Sequence, residues 1–467
     1  MSKIKFGTDG WRAIIAKDFT VDNVIRVSKG SADYMLKQDE NPSVVVGHDC
    51  RFGGEMFAEA VALVMCNNNV KVKLAKDFVS TPMISLAAYK LQTDLGIIIT
   101  ASHNPPSYNG FKLKGTFGGP SSPATISEVE SLIPDTPPTV TGSIEEYVES
   151  GMIEYVDLET MYLDHLKESF DFDAINNSGL VMAYDAMYGA GQDVVRKLFP
   201  KAKLLHCDYN PSFMGQAPEP IHKNLLEFSE MIKNTPEVTV GLATDGDADR
   251  IGLYDENGDF VDAHHVILLL IHYLYKYKNM TGKVVTAFSV SNKVKKMCQA
   301  YGLDQETTKI GFKYVCEIMN KEDVLVGGEE SGGIAVKGHI PERDGIWDGL
   351  VIFEWMASSG KTMTELVQEV YEVVGPFSYN RNDLHITEAL KLKIVENCNA
   401  GVYKAFGDNV ITNVETIDGF KFYFDEDETV MVRASGTEPV LRVYSEAPTS
   451  ERVEELLKAA KETLLAS

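Results

Sequence analysis

Three times along this chain a short apolar strand leads into a helix, and that recurrence limits the architectures open to it. The first passage runs from Val44-Val45-Val46-Gly47-His48-Asp49 through a helix from Arg51 to Asn67 into Val70-Lys71-Val72-Lys73-Leu74. The second runs from Leu180-Val181-Met182-Ala183-Tyr184-Asp185 through a helix ending at Leu198 into Lys203-Leu204-Leu205, and the third from Val284-Val285-Thr286-Ala287 into a helix from Asn292 to Tyr301. Such alternation marks βαβ units, and three copies of one α/β module is the economical reading. Each copy supplies a further strand that ends in a polar or glycine-rich loop. Leu95 to Ile99 enters Thr100-Ala101-Ser102-His103-Asn104-Pro105, Val238 to Leu242 enters Asp245-Gly246-Asp247-Ala248-Asp249-Arg250, and Val324-Leu325-Val326 enters Gly327-Gly328-Glu329-Glu330-Ser331-Gly332-Gly333. In open α/β sheets ligands bind beyond the carboxyl ends of the strands, so the three loops are expected to converge on one cleft.

At 467 residues the chain exceeds one core, and roughly one to two hundred residues per domain gives three or four domains. Breaks at Pro134-Asp135-Thr136-Pro137-Pro138, near Asp255-Glu256-Asn257-Gly258 and at Gly375-Pro376 lead to a division into 1–150, 151–256, 257–372 and 373–467. The last part differs from the others. Val430-Met431-Val432 and Leu441-Arg442-Val443-Tyr444 read as strands flanking Arg433-Ala434-Ser435-Gly436-Thr437-Glu438-Pro439, and a helix from Ser450 to Leu464 follows, which makes an α+β module.

A net charge of -24 repels nucleic acid and anionic membrane, so an anionic substrate must meet a local basic pocket. The longest apolar run, Val266 to Ile271, is flanked by His264, His265 and His272 and falls far short of the ~20 residues a membrane span needs. It reads as a buried helix. The opening Met1-Ser2-Lys3-Ile4-Lys5-Phe6 lacks the apolar core of a signal peptide, and the six cysteines show no C-x-x-C spacing. These features predict a reduced, cytoplasmic protein without a zinc or disulfide framework.

Ser102 directly follows a buried strand and is held in a turn by Asn104, Pro105 and Pro106, so its hydroxyl is expected on a rigid, exposed loop. The surroundings are not the G-x-S-x-G elbow of serine hydrolases. Asp245, Asp247 and Asp249 alternate with small residues, which turns three hard carboxylates towards one point and suits Mg²⁺. With Glu256 they also occupy four calcium-loop positions, but the sharp turn there wants glycine where this chain has Arg250, and Ile251-Gly252-Leu253-Tyr254 resumes a strand. Arg250 can pair with one of the carboxylates or reach a phosphate. Lys112, ten residues beyond Ser102, can return to the same cleft as a proton shuttle or phosphate contact. A serine carrying a phosphoryl group beside a divalent cation is a phosphoryl donor, so these segments point to phosphoryl transfer through a phosphoserine.

The loop from Gly327 to Gly333 matches neither a dinucleotide fingerprint nor a Walker loop, and its Glu329, Glu330 and Ser331 suit vicinal sugar hydroxyls. Arg433, Ser435, Gly436 and Thr437 provide a guanidinium, hydroxyls and an open backbone amide within one turn, the inventory of an anion nest, with Arg442 adding a second charge from the returning strand.

Taken together, and with Phe6-Gly7-Thr8-Asp9-Gly10-Trp11-Arg12 at the start, these motifs stand in the order of the α-D-phosphohexomutase superfamily, which the whole chain resembles. The resemblance implies three similar α/β/α domains with mixed sheets and a C-terminal α+β domain around a central cleft. It implies that Ser102 is the phosphoserine, that Asp245, Asp247 and Asp249 bind Mg²⁺ with an oxygen of the phosphoserine, and that Arg12 contacts substrate phosphate beside Lys112 and Arg250. Glu329 and Ser331 would bind sugar hydroxyls, Lys313 in Gly311-Phe312-Lys313 would line the same site, and Arg433, Ser435, Gly436 and Thr437 would clamp the non-reacting phosphate.

The implied reaction interconverts hexose 1-phosphate and hexose 6-phosphate through a hexose 1,6-bisphosphate, with glucose 1,6-bisphosphate as priming activator. One departure concerns the sugar loop, where many bacterial relatives carry histidine and this chain has Gly333; His339 is the nearby imidazole that could replace it. Gly-Glu-Glu-Ser leans towards glucose-type enzymes, with mannose as a second substrate. A phosphoglucosamine mutase and a catalytically silent sugar-phosphate-binding protein are the competing readings.

Overall fold

The computed structural model describes residues 4–7, 9–435 and 439–466. Each βαβ passage read from the sequence forms a parallel strand pair. Ser43–His48 pairs with Lys71–Ala75 across the helix Gly54–Asn67, Met182–Asp185 with Lys203–Leu205 across Gln192–Leu198, and Lys283–Ala287 with Gln305–Thr308 across Lys293–Tyr301. The first helix therefore begins after Arg51. Gly53 holds a left-handed conformation ahead of it, leaving Asp49 to Phe52 as a loop at the strand end.

The strands that carry the motifs are each followed by an antiparallel return. Leu95–Ile99 lies parallel to Ser43–His48 and antiparallel to Tyr108–Gly115, and Val240–Thr244 lies parallel to Met182–Asp185 and antiparallel to Ile251–Tyr254. Val324–Gly328 pairs antiparallel with Ile334–Val336. This repeated return makes the sheets mixed. It also places one polar loop between each motif strand and its partner.

The chain divides into two compact units, Met1–Lys283 with Gly311–Val367, and Val284–Ile310 with Gln368–Ser467. In the first, the apolar sides of the helices Val21–Gln38 and Gly54–Asn67 pack on the first sheet around Val44, Val46, Val61, Ile97 and Phe111. The helix Ala263–Lys276, which contains the longest apolar run, is buried along most of its length, and no helix among the described residues is long and apolar enough to cross a membrane. In the second unit, Val430, Val432, Leu441 and Val443 pack against Val453, Leu456 and Leu457 of the terminal helix Ser450–Leu465. All six cysteines are free and buried.

The first sheet is closely packed beside the serine loop. Trp11–Ile14 lies antiparallel on Tyr108–Gly115 with Arg12 opposite Gly110, and Gly110 in turn accepts a hydrogen bond from the Thr100 amide at 3.0 Å. A Cβ at Gly110 would stand 2.4 Å from the Thr100 carbonyl oxygen and 2.8 Å from that of Trp11, both backbone atoms. Gly110→Ala is therefore expected to lower stability by roughly 1–3 kcal/mol, as overpacking does, measured by denaturant unfolding.

Candidate active site

Ser102 is buried, at 1% exposure, where an exposed hydroxyl was expected from its loop. The correction has a simple cause: the aspartate loop of the second module lies over it. Ser102 Oγ donates to Asp245 Oδ2 at 2.6 Å and lies 3.3 Å from Nδ1 of His103. The serine has a left-handed backbone, φ 53°, a conformation that L side chains adopt mostly where their surroundings impose it.

The aspartate loop turns on itself in the same way, because Ala248 also has a positive φ of 56°. The turn brings one oxygen from each of Asp245, Asp247 and Asp249 within 4.8 Å of the others. Asp245 Oδ1 accepts the amides of Asp249 and Arg250, at 3.0 and 3.2 Å. Asp247 Oδ2 accepts Thr81 Oγ1 at 2.5 Å and Lys112 Nζ at 2.7 Å, while Asp249 Oδ2 accepts Lys112 Nζ at 3.0 Å and faces Arg343 at 2.6 Å. The other oxygen of Asp247 and of Asp249 is buried without a hydrogen-bond partner. Buried carboxylate oxygens left bare around one point are the donor set of a hard divalent cation.

Lys112 is fully buried rather than solvated, and it also reaches Asp9 at 2.8 Å. Burial works against its charge, but Asp247, Asp249 and Asp9 outweigh it and hold the ammonium well above its usual pKa. It stands as a cation among three carboxylates. Burial likewise pushes the Asp247 carboxyl up, and the charge and hydrogen bond of Lys112 with that of Thr81 bring it below the usual range. Asp245 lacks such a partner. Burial first, then the neighbouring Asp247 and Asp249, raise it well above that range.

Cations surround the serine. Arg12 donates to Asn104 Oδ1 at 2.8 Å, and Arg250 pairs with Glu219 at 3.5 Å rather than with the three aspartates. The Nε atoms of both are buried and unpartnered. Burial, then Arg250, Arg12, Lys112 and Arg51, depress the pKa of His103 well below its usual value, so its ring is neutral. Burial alone disfavours charge of either sign, but the four cations that add to it favour negative charge beside the serine.

In the sugar loop, Glu329 is buried and accepts the Gly311 amide at 2.8 Å, which ties it to the loop carrying Lys313. Burial pushes its pKa up to about 7, against the opposing pull of Arg343. Ser331 is half-buried on the same loop, and Lys313 lines a small cavity with Asp9, Gly10 and Ser121. His339 does not replace the absent histidine: one ring nitrogen meets Asp344 at 3.0 Å, the other His165 at 3.2 Å, and the ring stacks on Trp347.

Arg433 and Arg442 belong to the second unit, where they stand opposite each other on adjacent strands. Directly opposed like charges weaken a sheet unless an anion lies between them. Arg433 reaches Asp418 at 3.4 Å, and the Nε of each arginine is buried and unpartnered. Ser435 closes the hairpin start through its amide, which donates to Val440 O at 2.9 Å. Gly436 and Thr437 lie outside the described residues.

Four family models match in order: phosphoglucomutase/phosphomannomutase α/β/α domain I over residues 3–138, domain II over 160–258, domain III over 262–374, and the C-terminal domain over 390–463. A phosphoglucomutase/phosphomannomutase of Thermococcus kodakarensis is 30% identical, covering 97% of this chain and 96% of the relative. A phosphoglucosamine mutase of Staphylococcus epidermidis is 28% identical, with 95% and 94% covered. The crystal structure of a phosphomannomutase candidate from Thermus thermophilus superposes with a TM-score of 0.87 at 32% identity, covering 99% of both chains. The chain belongs to the phosphoglucomutase/phosphomannomutase family of the α-D-phosphohexomutase superfamily; it has that family's four-domain α/β architecture and is a phosphomutase.

Arg343 was not singled out in the sequence, and it explains Gly333. Its guanidinium bridges Asp9 at 2.5 Å and Asp249 at 2.6 Å and lies over the Phe312 ring. A Cβ at Gly333 would stand 2.5 Å from Cδ of Arg343. Histidine at this position and arginine at 343 therefore compete for one volume. Gly333→His is expected to lower the melting temperature by several degrees through overpacking, whereas adding the same substitution to Arg343→Ala is expected to lower it no further, read by differential scanning calorimetry of the four proteins.

Proposed function

We propose that this family member interconverts hexose 1-phosphate and hexose 6-phosphate through a phosphorylated Ser102, with glucose as the preferred sugar and mannose the second. The observation that carries this is the Ser102 hydroxyl at 2.6 Å from Asp245, next to two buried carboxylate oxygens that lack partners. Asp245, Asp247 and Asp249, with an oxygen of phosphorylated Ser102, would hold Mg²⁺. When bound, the ion would supply Lewis-acid polarisation of the transferring phosphoryl group.

In the first half-reaction the sugar hydroxyl attacks phosphorus, the bond to Ser102 Oγ breaks, and free serine and a hexose 1,6-bisphosphate result. In the second, Ser102 Oγ takes the other phosphoryl group and the isomeric monophosphate leaves. Lys112, Arg12 and Arg250 stabilise charge on the moving group, Glu329 and Ser331 accept sugar hydroxyls, and Lys313 lines the sugar site. The hairpin with Arg433, Ser435, Gly436, Thr437 and Arg442 is read as a phosphate-binding element of its own unit. Glucose 1,6-bisphosphate would prime the serine.

Glucose is favoured because the loop Gly328-Glu329-Glu330-Ser331 ends in Gly333 rather than histidine. Phosphoglucosamine mutases among the relatives keep glucosamine 6-phosphate as the second substrate to test. With Mg²⁺ and catalytic glucose 1,6-bisphosphate, the wild type is expected to convert glucose 1-phosphate to glucose 6-phosphate in a coupled assay, and Ser102→Ala to lose at least about a thousandfold. Turnover confined to glucosamine phosphate would reverse the sugar assignment.

Glu329 accepts hydroxyls most strongly as a carboxylate, because bonds to an ionised acceptor are the stronger ones. Its pKa is raised to about 7, so kcat/KM is expected to rise with pH through about 7, the ionised form gaining as the proton leaves. Glu329→Gln should remove that inflection and leave the one near pH 6 that belongs to the substrate phosphate. A pH–rate profile of the two proteins checks it.

A further inference from the structure

Asp49 and Arg51 have no task in the transfer reaction as written, yet between them they hold both backbone polar groups of Ser102. They follow the strand Ser43–His48 and are buried to 0% and 1% exposure. One guanidinium nitrogen of Arg51 donates to the carbonyls of Ser102 at 2.5 Å and Asn104 at 2.7 Å, and the other to those of Pro105 at 3.0 Å and Tyr108 at 3.1 Å. Asp49 receives Thr100 Oγ1 at 2.5 Å and the Arg51 amide at 2.9 Å, and faces the Arg51 Nε at 3.4 Å. Thr100 Oγ1 in turn accepts the Ser102 amide at 2.9 Å. The serine amide thus leads through Thr100 to Asp49, and its carbonyl leads through Arg51 to the same carboxylate.

This arrangement suits a planar fork and little else. An arginine offers five donors in fixed directions, and four carbonyls of one loop can be gathered only by such a group. Four carbonyls drawn inward fix the loop between Ser102 and Tyr108, including the left-handed turn at Ser102 that aims its hydroxyl at Asp245. The clamp is covered from the second module. The Arg51 guanidinium lies 5.1 Å from the centre of the Phe213 ring, and Phe213 and Met214 both hold positive φ values, 45° and 51°. Arg51 is therefore sealed by a loop that is itself held in an uncommon conformation.

We propose that Arg51, oriented by Asp49, is a positioning residue for phosphoryl transfer: it fixes the Ser102 peptide so that Oγ and its phosphoryl group stay in line with the attacking hydroxyl. The proposal rests on the phosphoserine reading. A rigid reacting pair gains rate through orientation, and a small misplacement removes much of that gain.

The test is single-turnover transfer from enzyme phosphorylated with labelled glucose 1,6-bisphosphate to glucose 1-phosphate, normalised to the phosphoenzyme measured by intact mass. Arg51→Lys keeps a charge beside Asp49 but loses the fork. Thr100→Val keeps the shape and leaves the Arg51 fork in place, but removes the hydroxyl that links the Ser102 amide to Asp49, so it serves if the lysine variant does not fold. The expected result is a fall of about a hundredfold per phosphoenzyme for Arg51→Lys and about tenfold for Thr100→Val. KM for glucose 1-phosphate should stay within about threefold of the wild type, because neither residue touches the sugar. A purely structural role would lower the folded or phosphorylated fraction and leave the normalised rate unchanged, which would overturn the proposal. Absence of transfer in the wild type would instead overturn the phosphoserine reading, and the clamp with it.

Discussion

The site is organised around one buried ammonium. Lys112 lies on the strand Tyr108–Gly115, is set opposite Ile98 by the sheet register, and draws Asp9, Asp247 and Asp249 to within 3.0 Å. Charges taken out of water this completely must be matched by opposite charge and hydrogen bonds, and removing one member of such a set leaves the others uncompensated. The matching here is spread over distant parts of the sequence. Lys112 alone joins the opening loop, the serine sheet and the aspartate loop, and Arg343 repeats two of these links from the other side by meeting Asp9 and Asp249.

The chemistry follows from what this network leaves unmatched. Lys112 and Arg343 satisfy one side of Asp247 and Asp249 and leave an oxygen of each bare, while Asp245 faces the serine with no cation of its own. Of the positive groups near Ser102, Arg12 bonds the neutral Asn104 and meets Asp9 only at 3.9 Å, and Arg250 meets Glu219 at 3.5 Å, so much of their charge is available to an anion. An acidic chain can thus bind an anionic substrate, because the acidic surface and the basic site are separate features.

Much of this was legible in the sequence for local reasons. The βαβ passages and the loops after the third strands are set by period and by residues close in the chain, and the three aspartates share a point because alternation within one turn is enough. What stayed hidden depends on distant contacts. The burial of Ser102 comes from Asp245, 143 positions away, and the task of Arg343 from Asp9, 334 positions away. Spacing alone put Lys112 near the cleft without partners, because only the sheet register shows which face it occupies. Gly333 looked like a lost residue and proved to be room for Arg343. The helix read from Arg51 was off by three positions, and those residues turned out to carry the grip on the serine loop.

The depth of Ser102 also bears on who can alter it. A hydroxyl at 1% exposure, hemmed in by a second loop, cannot be presented to the catalytic surface of another protein. A kinase or phosphatase would need the peptide extended in its own groove, which would mean pulling four carbonyls away from Arg51. On the proposed phosphoserine chemistry, the covalent state of this serine would be insulated from macromolecular signalling and would answer to metabolite supply, through molecules small enough to enter.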